Sequence, residues 1–582
     1  MAARLTTYVV VAIVAATLIA GLMVGAQRDD TDGPVDLIVF NAKVYTADGS
    51  GRMAEAVAVR GNQILRVGTD REIERLRRPQ TAVLDAHGAT VLPGFNDADV
   101  QFIDGGLGLD RIDLLDATSI EEIQRRIRLW AEASPDRPWV VGRGWRAESF
   151  PNGGPTRQLL DTVVPDRPAY ILSADGRSAW VNSKTLGLAG ITRHTESPSG
   201  GVIVKDAQSG EPTGVLRNSA AALAGKLVPP PTREERARGL RAAISAALRN
   251  GITSVHDSIA GAEDFALYED ARRAGDLNVR VYSSIAVDPA ARAQDFNSLE
   301  ALADKYPDDP LFKLGGARIA LDGPIESYDA ALLEPYAVRT SGTAGAPSIG
   351  PDDLNRLVRM LDARGWQVTT AAFGDRAVRM ALDAYEHAVR SNPKPARGRR
   401  HQIEYAGIVD AVDLPRFARL GIIASLQPIQ SSPSPVLAEE WARAIGPDRV
   451  SAAWPARSIA DTGTRVAFAT GWPGASLNPM AAIYAAVNRT TLDGMPEGGW
   501  HSAERIPLKR AIDAFTSAPA YASFDEQRKG SLKAGMLADM VVLSKDVFSA
   551  PASELATTTV AVTIFDGRIV YRRDSKSASE SH

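Results

Sequence analysis

"VLPGFNDADVQF", residues 91–102, decides how the chain is read. An apolar run, a Pro-Gly break and a further half-apolar stretch read as a buried strand, the first of a parallel barrel. Parallel barrels carry their functional side chains at the C-terminal ends of the strands, and here that end presents Asp99 and Gln101.

Further strand candidates follow near 251–256, 279–285, 313–321, 366–371, 401–405, 420–426 and 465–470. They alternate with helical stretches such as "REERARGLRAAISAALRNG" and "DRAVRMALDAYEHAV", which predicts an α/β fold, a TIM (β/α)8 barrel over 91–529. Residues 103–232 are too long for one crossover and read as an insertion subdomain after the first barrel strand. Alternating stretches at both ends, "DLIVFNAKVYTADG" and "TTVAVTIFDGRIVYR" among them, predict a composite β-sandwich from 35–90 and 530–573. Residues 574–582 read as a disordered tail.

Composition narrows the chemistry. A formal net charge of −4 gives no overall attraction to nucleic acid. The absence of cysteine excludes disulfides, thiol nucleophiles and thiolate metal sites. "YVVVAIVAATLIAGLMVGA", residues 8–26, is uncharged and almost wholly apolar, with Arg4 before it and Arg28, Asp29, Asp30 and Asp32 after it. Residues 1–34 are therefore expected to be a membrane anchor or signal segment plus linker. The reading is a single-pass membrane protein with an extracytoplasmic C-terminal domain; the alternative is secretion or periplasmic release after signal cleavage near Ala26.

The strings "VLPGFNDADVQF", "ILSADGRSAWVNS", "GITSVHD", "ALDGPIESYDAALLEPY", "WQVTTAAFGDRAV", "HQIEYA", "TRVAFATGWPGASLNPM" and "GSLKAGMLADMVVL" occur in this order. In them the chain resembles the amidohydrolase superfamily, specifically the amidohydrolase-3 type that includes N-substituted formamide deformylases. The resemblance runs from Asp36 to about Arg573 and implies hydrolysis of non-peptide C–N bonds with one or two divalent metals such as zinc.

At the positions where that family holds its metals, this sequence differs. The paired first-strand histidines are replaced by Asp99 and Gln101. The bridging lysine four residues before "DG" is Arg318, and arginine neither carbamylates nor ligates a metal. The fifth-strand histidine is Ala371, the sixth-strand histidine is Tyr405 beside Glu404, and the aspartate before "WP" is Gly471. In the insertion, "DGH" has become Asp175-Gly176-Arg177. The seven histidines include no H-x-H or H-E-x-x-H pair, so no metal ligands are assigned and no cofactor is expected.

The expected pocket is lined by Asp99, Gln101, Arg318, Ala371, Tyr405 and Gly471, with Arg177 and Trp472 as further candidates. Asp99, His256, Glu326 and Tyr405 are the groups capable of acid–base catalysis. His256 and His401 also read as hydrogen-bonded structural histidines, Glu326 as a solvated loop charge and Asp375 as a helix cap. Arg318 is expected to pair with Asp99 in place of the metal. The function expected is an amidohydrolase-family pseudoenzyme that binds a small amide-type molecule or an unknown protein partner. The alternatives are a hydrolase working without a metal or with a noncanonical one, and a membrane-tethered scaffold.

Overall fold

The stretch read as one strand is two strands in the computed structural model, which describes residues 34–115, 117–150, 154–174, 176–337 and 342–574. Thr90–Pro93 belongs to a six-stranded sheet drawn from both ends of the chain, whereas Phe95–Val100 (β1) begins the barrel. Gly94 is the joint. A Cβ added there would lie 2.1 Å from the Thr253 hydroxyl, so the backbone makes this passage between sheets only as glycine.

Seven parallel strands continue the barrel: β2 (Ile252–Ala260), β3 (Arg280–Ala286), β4 (Phe312–Ala320), β5 (Gln367–Ala372), β6 (Gln402–Tyr405), β7 (Ile423–Leu426) and β8 (Val466–Phe468). All are near the ranges predicted, and their buried runs of Val, Ile and Ala suit a sheet covered on both faces. The β1–β8 seam is drawn together by Gly471 N–H donating to the Asp99 carbonyl at 3.1 Å and Gln101 N–H donating to the Trp472 carbonyl at 2.9 Å. The crossover helix Arg233–Arg249 starts where predicted because Thr232 and Glu235 form a reciprocal capping box.

A four-stranded sheet ordered Gln63–Gly68, Ala56–Arg60, Leu37–Phe40 and Ala82–Asp85 packs on the six-stranded terminal sheet. Their shared core includes Val39, Val59, Val91, Met540, Val542 and Ile564, from both ends of the chain. Between β1 and β2 a separate six-stranded sheet encloses its own core around Ile171 and Trp180.

One expectation is overturned. Among the described residues no helix is long and apolar enough to cross a membrane, so single-pass anchoring is not supported. Residues 8–26, on which that expectation rested, lie outside the described residues.

Candidate functional site

Strand register assembles the site at the C-terminal end of the barrel. Arg318 on β4 sits beside Thr369 on β5, and Ala371 on β5 sits beside Glu404 on β6. From there the Arg318 Nε–H donates to Glu404 Oε2 at 2.7 Å. Both residues are buried, at 9% and 2% exposure. The expected Arg318–Asp99 pair is thus corrected: the guanidinium is bound by Glu404, the residue before the altered histidine position.

Asp99 is held by neutral donors instead. Its Oδ1 accepts from the Ser258 hydroxyl at 2.6 Å and its Oδ2 from the Gln427 amide at 3.1 Å. Asp99 still acts at a distance. Burial works against the Arg318 charge, but Glu404, Asp99 and Tyr405 together hold the guanidinium above its ordinary pKa. Burial pushes the Glu404 carboxyl up to about 7, with Arg318 opposing the rise and Asp99 adding to it. The Asp99 charge, followed by burial, raises the Tyr405 phenol well above its usual value. Tyr405 stacks on Phe373 at 4.0 Å and sits in left-handed backbone, φ 71°, as the chain turns out of β6.

The other expected pocket positions are less reactive. Gln101 is exposed and Ala371 is buried. Gly471 has φ 68°, and a Cβ on it would meet Gln427 Cγ at 3.3 Å. Trp472 packs edge-on against Phe102 and lies so close to Gly105 that a Cβ there would be 2.3 Å from the indole. Above these strand ends lies an aromatic roof containing Tyr336, Trp441, Trp454 and Trp500, against which Phe373 and Tyr405 pack.

Several candidates do not join the Arg318 cluster. Glu326 accepts from the Trp441 indole at 3.1 Å, and Arg177 donates to the Ser327 hydroxyl at 3.0 Å. Together they line a separate cavity of ≈ 650 Å³ whose walls include neither Asp99 nor Arg318. His256 is buried edge-on to Tyr282, and burial, with Lys529 and Lys313 nearby, holds its pKa well below the ordinary value. His401 is structural: Nδ1 accepts from the Val368 N–H at 3.0 Å, and Nε2 is 3.2 Å from Asp362. Asp375 is not the helix cap, a place taken by Gly374; it accepts from the Leu333 and Arg376 N–H groups.

Three participants escaped the sequence reading. Ser258 and Gln427, which bind Asp99, have no distinctive motif and stand out only as polar residues at strand ends. Asp97 stands two residues before Asp99 in the quoted stretch, so it carried a signal. It accepts from the Thr470 hydroxyl at 2.5 Å and the Thr470 N–H at 2.9 Å, tying β1 to the chain just past β8.

Burial raises Asp97 and Asp257, like Glu404, to about 7. These folded values lie above the unfolded ones, so the folded state holds extra protons between them. The stability they contribute is present below the unfolded carboxylate pKa and is lost as pH rises through about 7. The buried His256 and His401, held below their ordinary pKa, and Lys529, lowered to about 8, oppose this slope, so the Glu404 contribution is read as the difference between variant and wild type. The melting temperature is expected to fall between about pH 6.5 and 8, and less steeply in Glu404→Gln. An identical slope in the variant excludes Glu404 as a contributor.

A catalytic zinc takes neutral imidazoles and carboxylates and keeps one position open for water. Here a guanidinium stands among the strand ends, Asp99 is engaged by Ser258 and Gln427, and the neighbouring positions are Ala371, Tyr405 and Gly471. Among the described residues no group of three or more His, Cys, Asp or Glu side chains is placed to hold a metal ion. The residues present do not fit a divalent metal at this position.

The amidohydrolase family pattern matches residues 82–571. The chain is 30% identical over 538 residues to the putative amidohydrolase YtcJ of Bacillus subtilis (strain 168), covering 91% of this chain and 98% of that protein. It is 29% identical over 552 residues to the N-substituted formamide deformylase of Arthrobacter pascens, covering 92% and 98%. The crystal structure of an uncharacterized metal-dependent hydrolase from Pyrococcus furiosus matches with TM-score 0.70 and 23% identity, over 88% of this chain and 99% of that one, a likeness of fold. With the barrel, its motifs and these matches together, the chain belongs to the amidohydrolase family and is of the amidohydrolase-3 type.

Proposed function

We propose that this protein is a pseudoenzyme: it has lost the metal site of its family and uses the barrel mouth to bind a small amide-type molecule or a partner. The observation that carries this reading is the buried Arg318–Glu404 ion pair, 2.7 Å long, at the position of the family's bridging lysine. A fixed positive charge there repels the cation that the family's chemistry needs, and Arg318 cannot give up its proton to become a ligand. Nearby Asp99, Gln427 and Tyr405 supply polar groups suited to an amide's donor and acceptor.

Elemental analysis of the full-length protein, purified without chelator and then dialysed against zinc or manganese, tests the reading. No retained metal is expected, together with a saturable thermal shift from an amide ligand and no turnover. Near-stoichiometric, tightly held metal would overturn it.

A second reading, metal-independent hydrolysis of amide or N-acyl substrates, draws on Glu404, a carboxyl raised to about 7 beside Asp99 and thus able to exchange a proton at neutral pH. It requires product from such a substrate, lost in Asp99→Asn and Glu404→Gln. Binding without product leaves the first reading standing.

A further inference from the structure

Arg489 follows the helix Pro479–Asn488 and is fully buried, at 0% exposure. Among the described residues no carboxylate lies within ion-pair distance of it. Its Nε–H donates to the Trp500 carbonyl at 3.1 Å and an Nη1–H to the Trp454 carbonyl at 3.3 Å. Its Nη2 has no partner, and neither does the buried indole Nε1–H of Trp454. A buried guanidinium without a counter-ion is expensive, and an unmade buried hydrogen bond adds to the cost.

The residues that carry these two donors line one small cavity, whose walls also include Gln427, Ser431, Glu504 and apolar Leu426 and Phe468. Its free space of ≈ 10 Å³ leaves room for a single small species. The other polar groups are largely committed. Glu504 accepts from the Arg457 and Ser458 N–H groups at 2.7 and 3.0 Å and from the Ser458 hydroxyl at 2.5 Å. The Ser431 hydroxyl donates to the Pro428 carbonyl at 2.7 Å, and the Gln427 amide nitrogen is spent on Asp99. Gln427 Oε1 is also without a partner. Two buried N–H donors without partners, one of them on a positive charge, thus belong to residues that border this cavity.

We propose that this cavity binds one monoatomic anion, chloride or bromide, between Arg489 Nη2 and Trp454 Nε1. A space this small favours a monoatomic ion over carboxylate or phosphate. A water molecule, smaller than either halide, accepts both hydrogen bonds but puts no charge in contact with the guanidinium, so the charge selects the halide. Burial lowers the Arg489 pKa to about 10 and Glu504 partly restores it, in keeping with a cation short of a counter-ion. The inference does not rest on what the barrel mouth binds, although Gln427 borders both places.

The test uses the full-length protein exchanged into gluconate, with chloride or bromide added at constant ionic strength. The melting temperature is expected to rise saturably with either halide and not with sulfate. Trp454→Phe, which deletes one N–H and keeps an aromatic ring, raises the half-saturating concentration roughly tenfold or more, as for a lost hydrogen bond to a charged group. Arg489→Met abolishes the response. Because that variant risks misfolding, wild-type crystals soaked in bromide supply a separate reading: an anomalous peak within about 3.5 Å of both nitrogens. Equal melting temperatures in chloride and gluconate, with no peak, overturn the proposal and leave a bridging water only.

Discussion

Replacing Arg318 by methionine is expected to destabilise the fold most above about pH 7, where Glu404 is charged, by up to about 3–5 kcal/mol, the range for breaking a buried ion pair by removing one partner. The loss has a specific origin. Glu404 is 2% exposed, and its carboxylate receives its only described hydrogen bond from Arg318. Without the guanidinium it must be buried as an unpaired charge or protonated, and Asp99 nearby makes the charged form harder still. Pairing the change with Glu404→Gln removes that unpaired charge, so the double variant should recover a large part of the loss. Denaturant unfolding of the two single variants and the double variant, treated as a cycle, gives the coupling directly. Additive losses would show that Arg318 and Glu404 are neighbours without being partners. Asp99 needs no such rescue, because Ser258 and Gln427 already occupy its oxygens.

The second large effect lies at the opposite end of the barrel. Arg280 opens β3 and binds Asp539 through Nε at 2.6 Å and Nη2 at 3.0 Å, with a further bond from Nη2 to Asp566 at 2.8 Å. Its guanidinium also lies 4.8 Å from the centre of the Phe565 ring. This planar fork joins the barrel to the sheet drawn from both termini, and Asp539 holds the joint again by accepting the Gly94 N–H on its carbonyl at 2.9 Å. Arg280→Met should cost about 3–5 kcal/mol, because Asp539 is left buried without its cation. Arg280→Lys should recover only part of this, since an ammonium keeps the charge but not the bidentate geometry. Equal stability of the lysine variant and the wild type, in the same unfolding measurement, would show that charge alone suffices. Ligand binding at the mouth should be unchanged in both, which separates this role from that of Arg318.

The barrel was legible in the sequence because its strands are buried on both faces and read as apolar runs, with caps such as Thr232 and Glu235 marking a crossover. The altered site was legible for a different reason: Arg318, Ala371 and Gly471 are chemical facts that no packing reverses. Gly94 shows where this kind of reading stops. Nothing local in "VLPGFN" says that the run belongs to two sheets; that follows from Thr253, far along the chain, filling the space beside it.

Partner choice was less accessible still. Arg318 and Asp99 have opposite charges, but charge carries no direction. The β4–β5–β6 register sets Arg318 within reach of Glu404, while Ser258 and Gln427, from strands β2 and β7, reach Asp99 first. Arg177 was grouped with Asp99 through the altered "DGH" of the insertion and Glu326 through its place after the fourth strand; folding places these two on a cavity of their own. Residue types thus limit which chemistry the chain can perform, since ionisation and ligation are properties of single side chains. Which groups meet depends on strand register and long-range packing, where a shift of one residue changes every neighbour.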